Sequence, residues 1–565
     1  MLRGALRFLS SEVRGLQAAV YILALSALLS SILALARDRL FASHFGAGAE
    51  LDIYYAAFRI PDLIFVATGA LVSVYVLIPE LARRGEREQK SYIDTILLGF
   101  SLFAVVVSGV AALFAPHVLA LLFPRFAAEG QLVQVTALTR IMLLQPILLG
   151  ISNILAAITQ TKHRYALYSV SPLLYNAGII LGLLVLYPVL GLPGLAWGVV
   201  FGAALHAGVQ LPSIVRDGFL IHFPRLREPR ALFSTALVSI PRALTLSMNQ
   251  VIFLGLTSLA SGLATGSIAV FMFAYNLQAV PLSIIGASYS VAAFPTLAAA
   301  LSRGERAEFV AHIVTAARYV LFWSLPASAL ILVLRAHMVR VVLGAGQFDW
   351  TDTRLTAAAF ALMALSLAAQ GLMLLLARGY YAAGRTFVPF FVALASAFGT
   401  IALARVLLES FKDPSVLFYV QSMLRLEDVP GSTLLALPLA FAIVSIIGLV
   451  ALSLHFERRF GGFYAGIRET LWQSATAALA GGTATYILLA LVGPLTFASA
   501  LFTVFLRGSL AGIAGLAATV LVYALLGNRE LGETFAGIHA RLWRTKLAPG
   551  DAALSAEEMS ATSPQ

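Results

Sequence analysis

The sequence predicts an all-α integral membrane protein that crosses the bilayer about fourteen times. Of its 565 residues, 60% are hydrophobic and only 12% are charged, whereas soluble domains average roughly 45–50% apolar and about 25% charged residues. Apolar runs of at least about 20 residues, enough to cross a hydrocarbon core of roughly 30 Å, recur from end to end. Loops rich in Lys and Arg alternate with loops that carry almost no charge, as expected for a multi-pass protein.

The predicted spans follow the apolar runs in chain order. Spans 1 to 7 lie near 16–40, 51–79, 92–123, 132–160, 166–189, 193–214 and 232–260. Spans 8 to 14 lie near 266–300, 309–344, 354–382, 386–409, 432–455, 467–493 and 499–527. The first run is too long for the apolar part of a signal peptide, and no small-residue cleavage site follows it. We therefore predict that it is a retained membrane helix.

The distribution of Lys and Arg predicts the orientation. Alternate loops contain the basic residues Arg83, Arg84, Arg87, Lys90, Lys162, Arg164, Arg216, Arg225, Arg227, Arg230, Arg303, Arg306, Arg385, Arg458 and Arg459. The loops between them include the nearly uncharged 187–194, 261–266 and 492–498. Basic loops remain in the cytoplasm, so we expect both termini there, in agreement with an even number of spans. The longest outer loop, 410–431, has room for a short surface helix.

Several functional classes are disfavoured by composition. The net charge of +11 is compatible with nucleic-acid binding, but basic cytoplasmic loops explain it better. The chain has no cysteine, which excludes disulfides and thiolate metal sites. We find no nucleophile elbow, phosphate-binding glycine loop or metal-ligand spacing. We therefore predict a transporter or flippase rather than an enzyme, with no metal site and no nucleic-acid partner.

Two short patterns recur about 220 residues apart. The pattern G-x4-LA-x7-R, with its arginines at Arg164 and Arg385, recurs with a shift of 221 residues (385 − 164). Gly69 and its neighbours recur at Gly286. This shift corresponds to six spans, so the copies have the same orientation and form two parallel lobes. The predicted units are an N-terminal lobe at 1–215, a C-terminal lobe at 216–460, two further helices at 461–527 and a polar cytoplasmic tail at 528–565, which is partly disordered.

Charges within apolar spans are the candidate functional groups, since each is costly unless it faces a cavity or a partner. The set comprises Arg37, Asp38, Arg39, Asp52, Arg59, Asp62, Arg242 and Arg378. Five cations against three anions suit an anionic cargo. Two alternatives remain open: Arg37, Asp38 and Asp52 are paired structural charges, or Arg39 and Arg378 extend to lipid headgroups.

The segment around spans 1 and 2 resembles one known family. Arg37-Asp38, Phe45-Gly46-Ala47-Gly48, Asp52 and the run AFRIPD at 57–62 resemble the MurJ/MviN lipid II flippase family. That family belongs to a superfamily with drug antiporters and polysaccharide flippases. The resemblance, which covers about 20–460, implies two six-helix lobes around a cationic cavity, with spans 13 and 14 forming a groove for a lipid tail. It further implies movement of lipid II, the undecaprenyl-diphosphate-linked peptidoglycan precursor, to the outer leaflet of the bacterial plasma membrane.

The chain departs from the family pattern at several expected arginines. Ser31, Phe65-Val66 and Asn276 stand where the family has arginine, and Arg242 is a candidate replacement. The predicted substrate-binding residues are Arg37, Asp38, Asp52, Arg59, Arg242 and Asn276. We expect a monomer in contact with membrane lipids, with no cofactor and with coupling to the membrane potential or to a monovalent cation. The alternative functions are transport of another polyprenyl-linked glycan, a drug or metabolite antiporter, and a non-transporting scaffold for cell-wall enzymes.

Overall fold

The computed structural model describes residues 16–544, apart from 73, 163, 221, 494 and 496–498. Residues 545–565 of the polar tail, which is predicted to be partly disordered, lie outside the described residues. All regular structure in the described part is helical. Eleven of its helices are long and apolar enough to cross a membrane, and a pair bent by 45° in span 10 makes twelve. The other two predicted spans, spans 1 and 2, are also helical, and span 2 is divided into several segments.

The helices follow the predicted order, and several spans consist of more than one segment. Spans 1 to 7 are Leu16–Phe45; Ala49–Ala57, Arg59–Gly69 and Val74–Ala82; Glu86–Leu122; Leu132–Met142 and Leu144–Thr161; Tyr165–Leu181, Gly182–Leu186 and Tyr187–Leu190; Leu192–Gly208 and Leu211–Arg216; and Pro229–Ser261. Spans 8 to 14 are Ser267–Leu282, Ser283–Ala287 and Ser288–Ser302; Arg306–Leu343; Trp350–Ala364 and Leu367–Ala382; Phe387–Ser410; Ser432–Leu435 and Ala436–Phe460; Phe463–Val492; and Leu501–Leu525.

The glycines of the internal repeat lie at matching helix contacts. Gly69 of span 2 packs beside Asn153 of span 4. Gly286 of span 8 packs on Gly371 of span 10, and a Cβ atom on Gly286 would lie 2.7 Å from the Cα atom of Gly371. Spans 2 and 4 therefore meet in one half of the chain as spans 8 and 10 meet in the other.

Span 7 connects the two halves of the chain. In its first half, Thr235 bonds the hydroxyl of Tyr92 on span 3 at 2.9 Å, and Ser239 donates to the carbonyl of Leu71 at 3.4 Å. Glu228, just before the helix, accepts from Arg84 at 3.0 Å. The C-terminal lobe predicted from residue 216 thus begins with a helix whose first half packs on spans 2 and 3.

Among the described residues, hydrogen bonds between spans 1–6 and spans 8–12 are confined to one part of the helix bundle. We call the end with the loops 82–86, 161–165, 216–229, 302–306, 382–387 and 460–463 the basic end, and the other end the opposite end. Hydrogen bonds between the described residues of spans 1–6 and spans 8–12 all involve Asp38 or groups nearer the opposite end. The cleft between the halves is therefore held closed at the opposite end.

Three glycines allow the backbones to meet at this closure. Gly46 has a φ angle of +59°, Gly266 of +88° and Gly346 of +56°, a region that L side chains rarely adopt. A Cβ atom on Gly266 would overlap the carbonyl of Ala47, and one on Gly346 would overlap the carbonyl of Ser43. A side chain at these positions would hold the two halves apart.

Polar contacts join the backbones across the same closure, which we call the seam. The N–H group of Gln347 donates to the carbonyl of Ser43 at 2.9 Å, and the N–H group of Ala47 donates to Asp352 Oδ2 at 3.0 Å. Arg39 Nη1 donates to the carbonyls of Val341 and Val342 at 2.7 and 3.1 Å. The N–H groups of Gly266 and Ala269 donate to Asp52 at 2.6 and 2.9 Å. Arg39 thus caps the free carbonyls at the end of span 9.

The last part of the chain packs on one side of the bundle. Spans 13 and 14 meet through Gly481 against Thr519 and Gly515 against Thr485, and both pack on span 9. Their predicted role as a groove for a lipid tail stays a prediction. A helix at Pro414–Leu424, which has no buried residues, confirms the expectation of a short surface helix in the loop 410–431.

The polar tail begins with a helix that the sequence analysis did not include, Arg529–Arg544. Its start is anchored because Arg318 of span 9 pairs with Glu530 at 2.5 Å. Tyr319 also donates to Glu533 at 2.5 Å. The first part of the tail is thus attached to the membrane-spanning bundle.

Candidate functional site between the lobes

Arg37 lies at the centre of a polar network between spans 1, 5 and 8. Its Nε and Nη2 atoms donate to Asp38 Oδ1 at 3.0 and 2.8 Å, and its Nη1 atom donates to Asn176 Oδ1 at 3.0 Å. The Asp38 side chain is only 3% exposed, whereas that of Arg37 is 19% exposed. A buried carboxylate is costly unless it is paired, so Arg37 both neutralises Asp38 and remains the more accessible member of the pair.

Asp38 also connects the two halves of the chain. Its second oxygen, Oδ2, accepts from Asn276 Nδ2 on span 8 at 2.9 Å. This contact brings together three of the predicted binding residues, Arg37, Asp38 and Asn276. Because it crosses the cleft, it must break if spans 1 and 8 separate.

Arg59 occupies a second polar position, created by a break in span 2. Pro61 has no N–H group to donate to Ala57 O, and that carbonyl instead accepts from Thr139 of span 4 at 3.3 Å. Just after the break, Arg59 Nε donates to the carbonyl of Tyr55 at 3.1 Å. Its Nη2 atom lies 3.6 Å from Asp62, one helical turn away.

Tyrosine side chains lie near members of both pairs. Tyr55 lies within electrostatic range of Asp38, Arg37 and Arg59. Its ring is therefore near both the Arg37–Asp38 pair and the Arg59–Asp62 pair. Tyr175, beside Asn176 on span 5, experiences Asp62 and Arg37. The two pairs therefore belong to one polar region between spans 1, 2 and 5.

This region contains buried polar atoms with unused hydrogen-bonding capacity. The hydroxyl of Tyr55 and the side-chain oxygen of Gln145, which lies beside Asp62, have no hydrogen-bond partner among the described residues. Buried polar atoms are nearly always satisfied by protein, water or ligand. These atoms are therefore positioned to bond to water or to a polar headgroup.

The charges of this region are balanced, in contrast to the cationic cavity implied by the resemblance. Arg37 pairs with Asp38, and Arg59 pairs with Asp62. The reason is electrostatic: an unpaired guanidinium at this depth would lose its hydration without compensation. The expected surplus of cations also depended on Arg39, which is part of the seam, on Arg378 and on Arg242. The side chain of Arg242 lies outside the described residues, so its predicted binding role stays a prediction.

Asp52 has a different environment from the other predicted residues. It is 5% exposed, and both carboxylate oxygens accept backbone N–H groups at the start of span 8. Because free N–H groups carry partial positive charge at a helix start, Asp52 acts as a cap supplied by the other half of the chain. The structure thus gives Asp52 a role in the seam and does not join it to the Arg37 network.

Sequence reasoning did not count Asn176, Tyr55, Tyr175 or Gln145 as site residues. Tyr175 and Asn176 were visible as a polar pair within an apolar span, and that was the available signal. Asn176 lies 139 residues from Arg37 along the chain, so the sequence alone does not reveal the hydrogen bond between their side chains.

Comparisons with known proteins agree on one family. A family model described as lipid II flippase MurJ matches residues 41–506. The probable lipid II flippase MurJ of Vibrio cholerae is 26% identical over 478 residues, covering 82% of this chain and 86% of the relative. That of Buchnera aphidicola is 26% identical over 409 residues, covering 70% and 77%.

Solved structures show the same fold. A structure titled lipid II flippase MurJ in an inward closed conformation has a TM-score of 0.70 and 20% identity, covering 90% of this chain and 99% of that one. An inward-facing multidrug resistance MATE family transporter has a TM-score of 0.61 at 13% identity, covering 79% and 99%. The all-α transporter fold predicted from the sequence is therefore confirmed.

Proposed function

Since the chain belongs to the lipid II flippase MurJ family, we propose that it moves lipid II from the inner to the outer leaflet of the bacterial plasma membrane. The observation that carries this proposal is the network in which Arg37, Asp38 and Asn276 join spans 1 and 8 across the cleft. The network lies on the route that a headgroup would take between the halves of the chain, where the lipid tail can remain in the bilayer.

Arg37 and Arg59 are suited to bind the diphosphate. A planar guanidinium donates parallel hydrogen bonds to two oxygens and stays charged. In the closed cleft the carboxylates of Asp38 and Asp62 hold these groups in place. A diphosphate entering the cleft would replace Asn176 or a carboxylate as acceptor, while tyrosine and amide groups bond the sugars.

We propose that the basic end faces the cytoplasm and that the seam closes the outer side. The excess of Lys and Arg at the basic end supports this orientation. The closed seam then corresponds to a state that receives cargo from the inner leaflet. Opening the seam and breaking the Asp38–Asn276 bond would expose the same region to the outer leaflet, as alternating access requires.

The membrane potential is a sufficient energy source for this direction of transport. A diphosphate carries about two negative charges, and moving one charge through 100 mV corresponds to about 2.3 kcal/mol. Outward movement is therefore favourable when the inside is negative. The mechanism needs no cofactor from the protein and leaves room for a coupled monovalent cation.

A drug or metabolite antiporter is the second candidate, favoured by the similarity to the MATE fold. Such a transporter would use a carboxylate in the membrane to exchange its cargo for a cation. Here Asp38 and Asp62 are each neutralised by an arginine, which disfavours cationic cargo. A lipid II flippase should deliver lipid II to the outer leaflet, whereas an antiporter should export drugs.

The proposal is tested by complementation. A bacterium depleted of its resident lipid II flippase should resume growth when it expresses this chain, and lipid II should become accessible outside the membrane. The Arg83→Ala variant, which changes a 79% exposed arginine at the basic end, should rescue equally well. Properly inserted protein that restores neither growth nor external lipid II would contradict this cargo, and drug efflux by the same cells would favour the antiporter.

A further inference from the structure

Three arginines surround a cavity at the basic end of the C-terminal lobe, apart from the cleft. The cavity has a volume of about 460 Å³ and lies among the ends of spans 8, 10 and 12 and the start of span 9. Arg306, Arg385 and Arg459 line it together with Ser302 and Phe460. The three side chains come from the start of span 9, the loop after span 10 and the end of span 12, so the fold alone brings the positive charges together.

None of these arginines forms an ion pair among the described residues, because the nearby acids are already used. Arg303 binds Glu305 at 2.7 Å and Glu308 at 2.8 Å. Glu457 accepts the N–H groups of residues 462–464 at the start of span 13, at 2.8–3.0 Å. The lining of the cavity therefore contains three cations and no carboxylate.

In the other half of the chain, the equivalent arginine is neutralised by an aspartate. Arg164, the repeat counterpart of Arg385, forms a bidentate pair with Asp217 at 2.6 and 2.9 Å. Asp217 directly follows the last helix of span 6. At the end of span 12, the corresponding span, the acid Glu457 accepts backbone N–H groups instead of pairing with an arginine. Arg385 therefore has no acidic partner among the described residues, and Arg459 adds a further cation to the same cavity.

Surface arginines near the cytoplasmic ends of spans are common, and exposure alone would not indicate a ligand. The distinguishing features here are the shared cavity, its size and the lack of an ion pair such as the one that Arg164 forms with Asp217 in the other lobe. Basic pockets between membrane helices on the cytoplasmic side bind phosphate headgroups. A volume of about 460 Å³ is within the range of small-ligand sites, roughly 300–1,000 Å³.

We propose that Arg306, Arg385 and Arg459 form a phosphate-binding site, separate from the cleft, that takes a phosphate-bearing anion. The guanidinium forks would donate to the phosphate oxygens, and each such charge-assisted bond is strong enough to matter for affinity. Two sources supply this chemistry, an anionic phospholipid of the adjacent leaflet and a soluble phosphate compound. The site goes beyond the proposed transport function and does not require it.

The test measures binding to the purified full-length protein by native mass spectrometry. The probes are phosphatidylglycerol, zwitterionic phosphatidylethanolamine and inorganic pyrophosphate. For at least one anionic probe, the Arg385→Gln/Arg459→Gln double variant should bind at least about tenfold more weakly than the unmodified chain. The matched control is Arg458→Gln, which removes an exposed charge next to the cavity but outside its lining and should leave binding unchanged.

The outcomes separate the sources. Arginine-dependent binding of phosphatidylglycerol that pyrophosphate does not displace identifies a lipid. Arginine-dependent binding of pyrophosphate without retained phosphatidylglycerol identifies a soluble phosphate compound. The proposal is overturned if neither anionic probe binds, or if Arg458→Gln weakens binding as much as the double variant.

Two further measurements keep the test independent of folding and of transport. Thermal unfolding should show the double variant folded, because the substituted side chains are exposed and outside the core. The Arg83→Ala variant, which changes an exposed arginine outside both the cavity and the cleft, should bind the anionic probes as the unmodified chain does. If complementation fails but the cavity binds its probe, only the transport function is contradicted. If complementation succeeds but the cavity binds no probe, only this site is contradicted.

Discussion

Replacing Arg37 with alanine should abolish rescue of a flippase-depleted bacterium. The change removes the guanidinium that donates to Asp38 and Asn176, and with it the donor proposed for the diphosphate. Charge-assisted hydrogen bonds contribute roughly 1.5–3 kcal/mol each, so losing even one weakens headgroup binding at least about tenfold. The measurement is lipid II accessible outside the membrane, per molecule of inserted protein.

Two comparisons separate loss of binding from loss of folding. Arg37→Ala leaves Asp38 buried without its cation, which costs about 3–5 kcal/mol where the carboxylate cannot relax. The Arg37→Ala/Asp38→Asn double variant removes that penalty and should recover thermal stability without recovering transport. Full transport by the double variant would show that Arg37 serves only to neutralise Asp38.

Substituting Gly266 with alanine should prevent closure at the seam. The residue has a φ angle of +88°, and its new Cβ atom would overlap the carbonyl of Ala47. Because backbone atoms from both halves meet there, the overlap is relieved only by separating the halves, which also breaks the Asp52 cap. We expect the variant to accumulate with the seam open and to lose most of its transport.

The matched control for this substitution is Gly304→Ala at the basic end. Gly304 has a similar φ angle, +78°, but a Cβ atom there would meet nothing within 4 Å. Both changes therefore impose comparable backbone strain, and only Gly266→Ala adds a clash. Seam distance can be read from spin labels on cysteines at exposed positions, since the chain has no native cysteine. Equal seam distances in the two variants would refute the role of Gly266.

The arrangement of spans was predictable from the sequence because lipid imposes a strong length and polarity constraint on each segment. The Arg59–Asp62 pair is likewise local, one turn apart, and is readable from spacing. The break near Pro61 follows from the missing N–H group of proline. Such features depend on neighbours within a few residues.

The interlobe contacts could not be predicted because they join residues far apart in the chain. The Asp52 cap connects residues 214 and 217 positions apart, and Asp38 contacts Asn276 at a separation of 238. A charge in an apolar span indicates that a partner exists but does not identify it. Asp52 was therefore grouped with the binding residues, although its contacts are those of a helix cap.

Arg39 illustrates the same limitation. From the sequence, its expected alternatives were a cavity cation or an extension to lipid headgroups. In the structure it bonds the last carbonyls of span 9 across the seam. This capping contact can be recognised only when the positions of both helix ends are known.

Lipid II transport by a protein whose seam can be locked shows whether the seam must open in each transport cycle. Cysteines at Ser43 and Gln347, whose backbones bond at 2.9 Å, should form a disulfide when the seam is closed. In spheroplasts depleted of the resident flippase, an externally added enzyme that cleaves lipid II reports its arrival in the outer leaflet. Oxidation should stop transport and reduction should restore it, whereas either single-cysteine variant should be unaffected. Continued transport by the fully cross-linked protein would contradict alternating access through this seam.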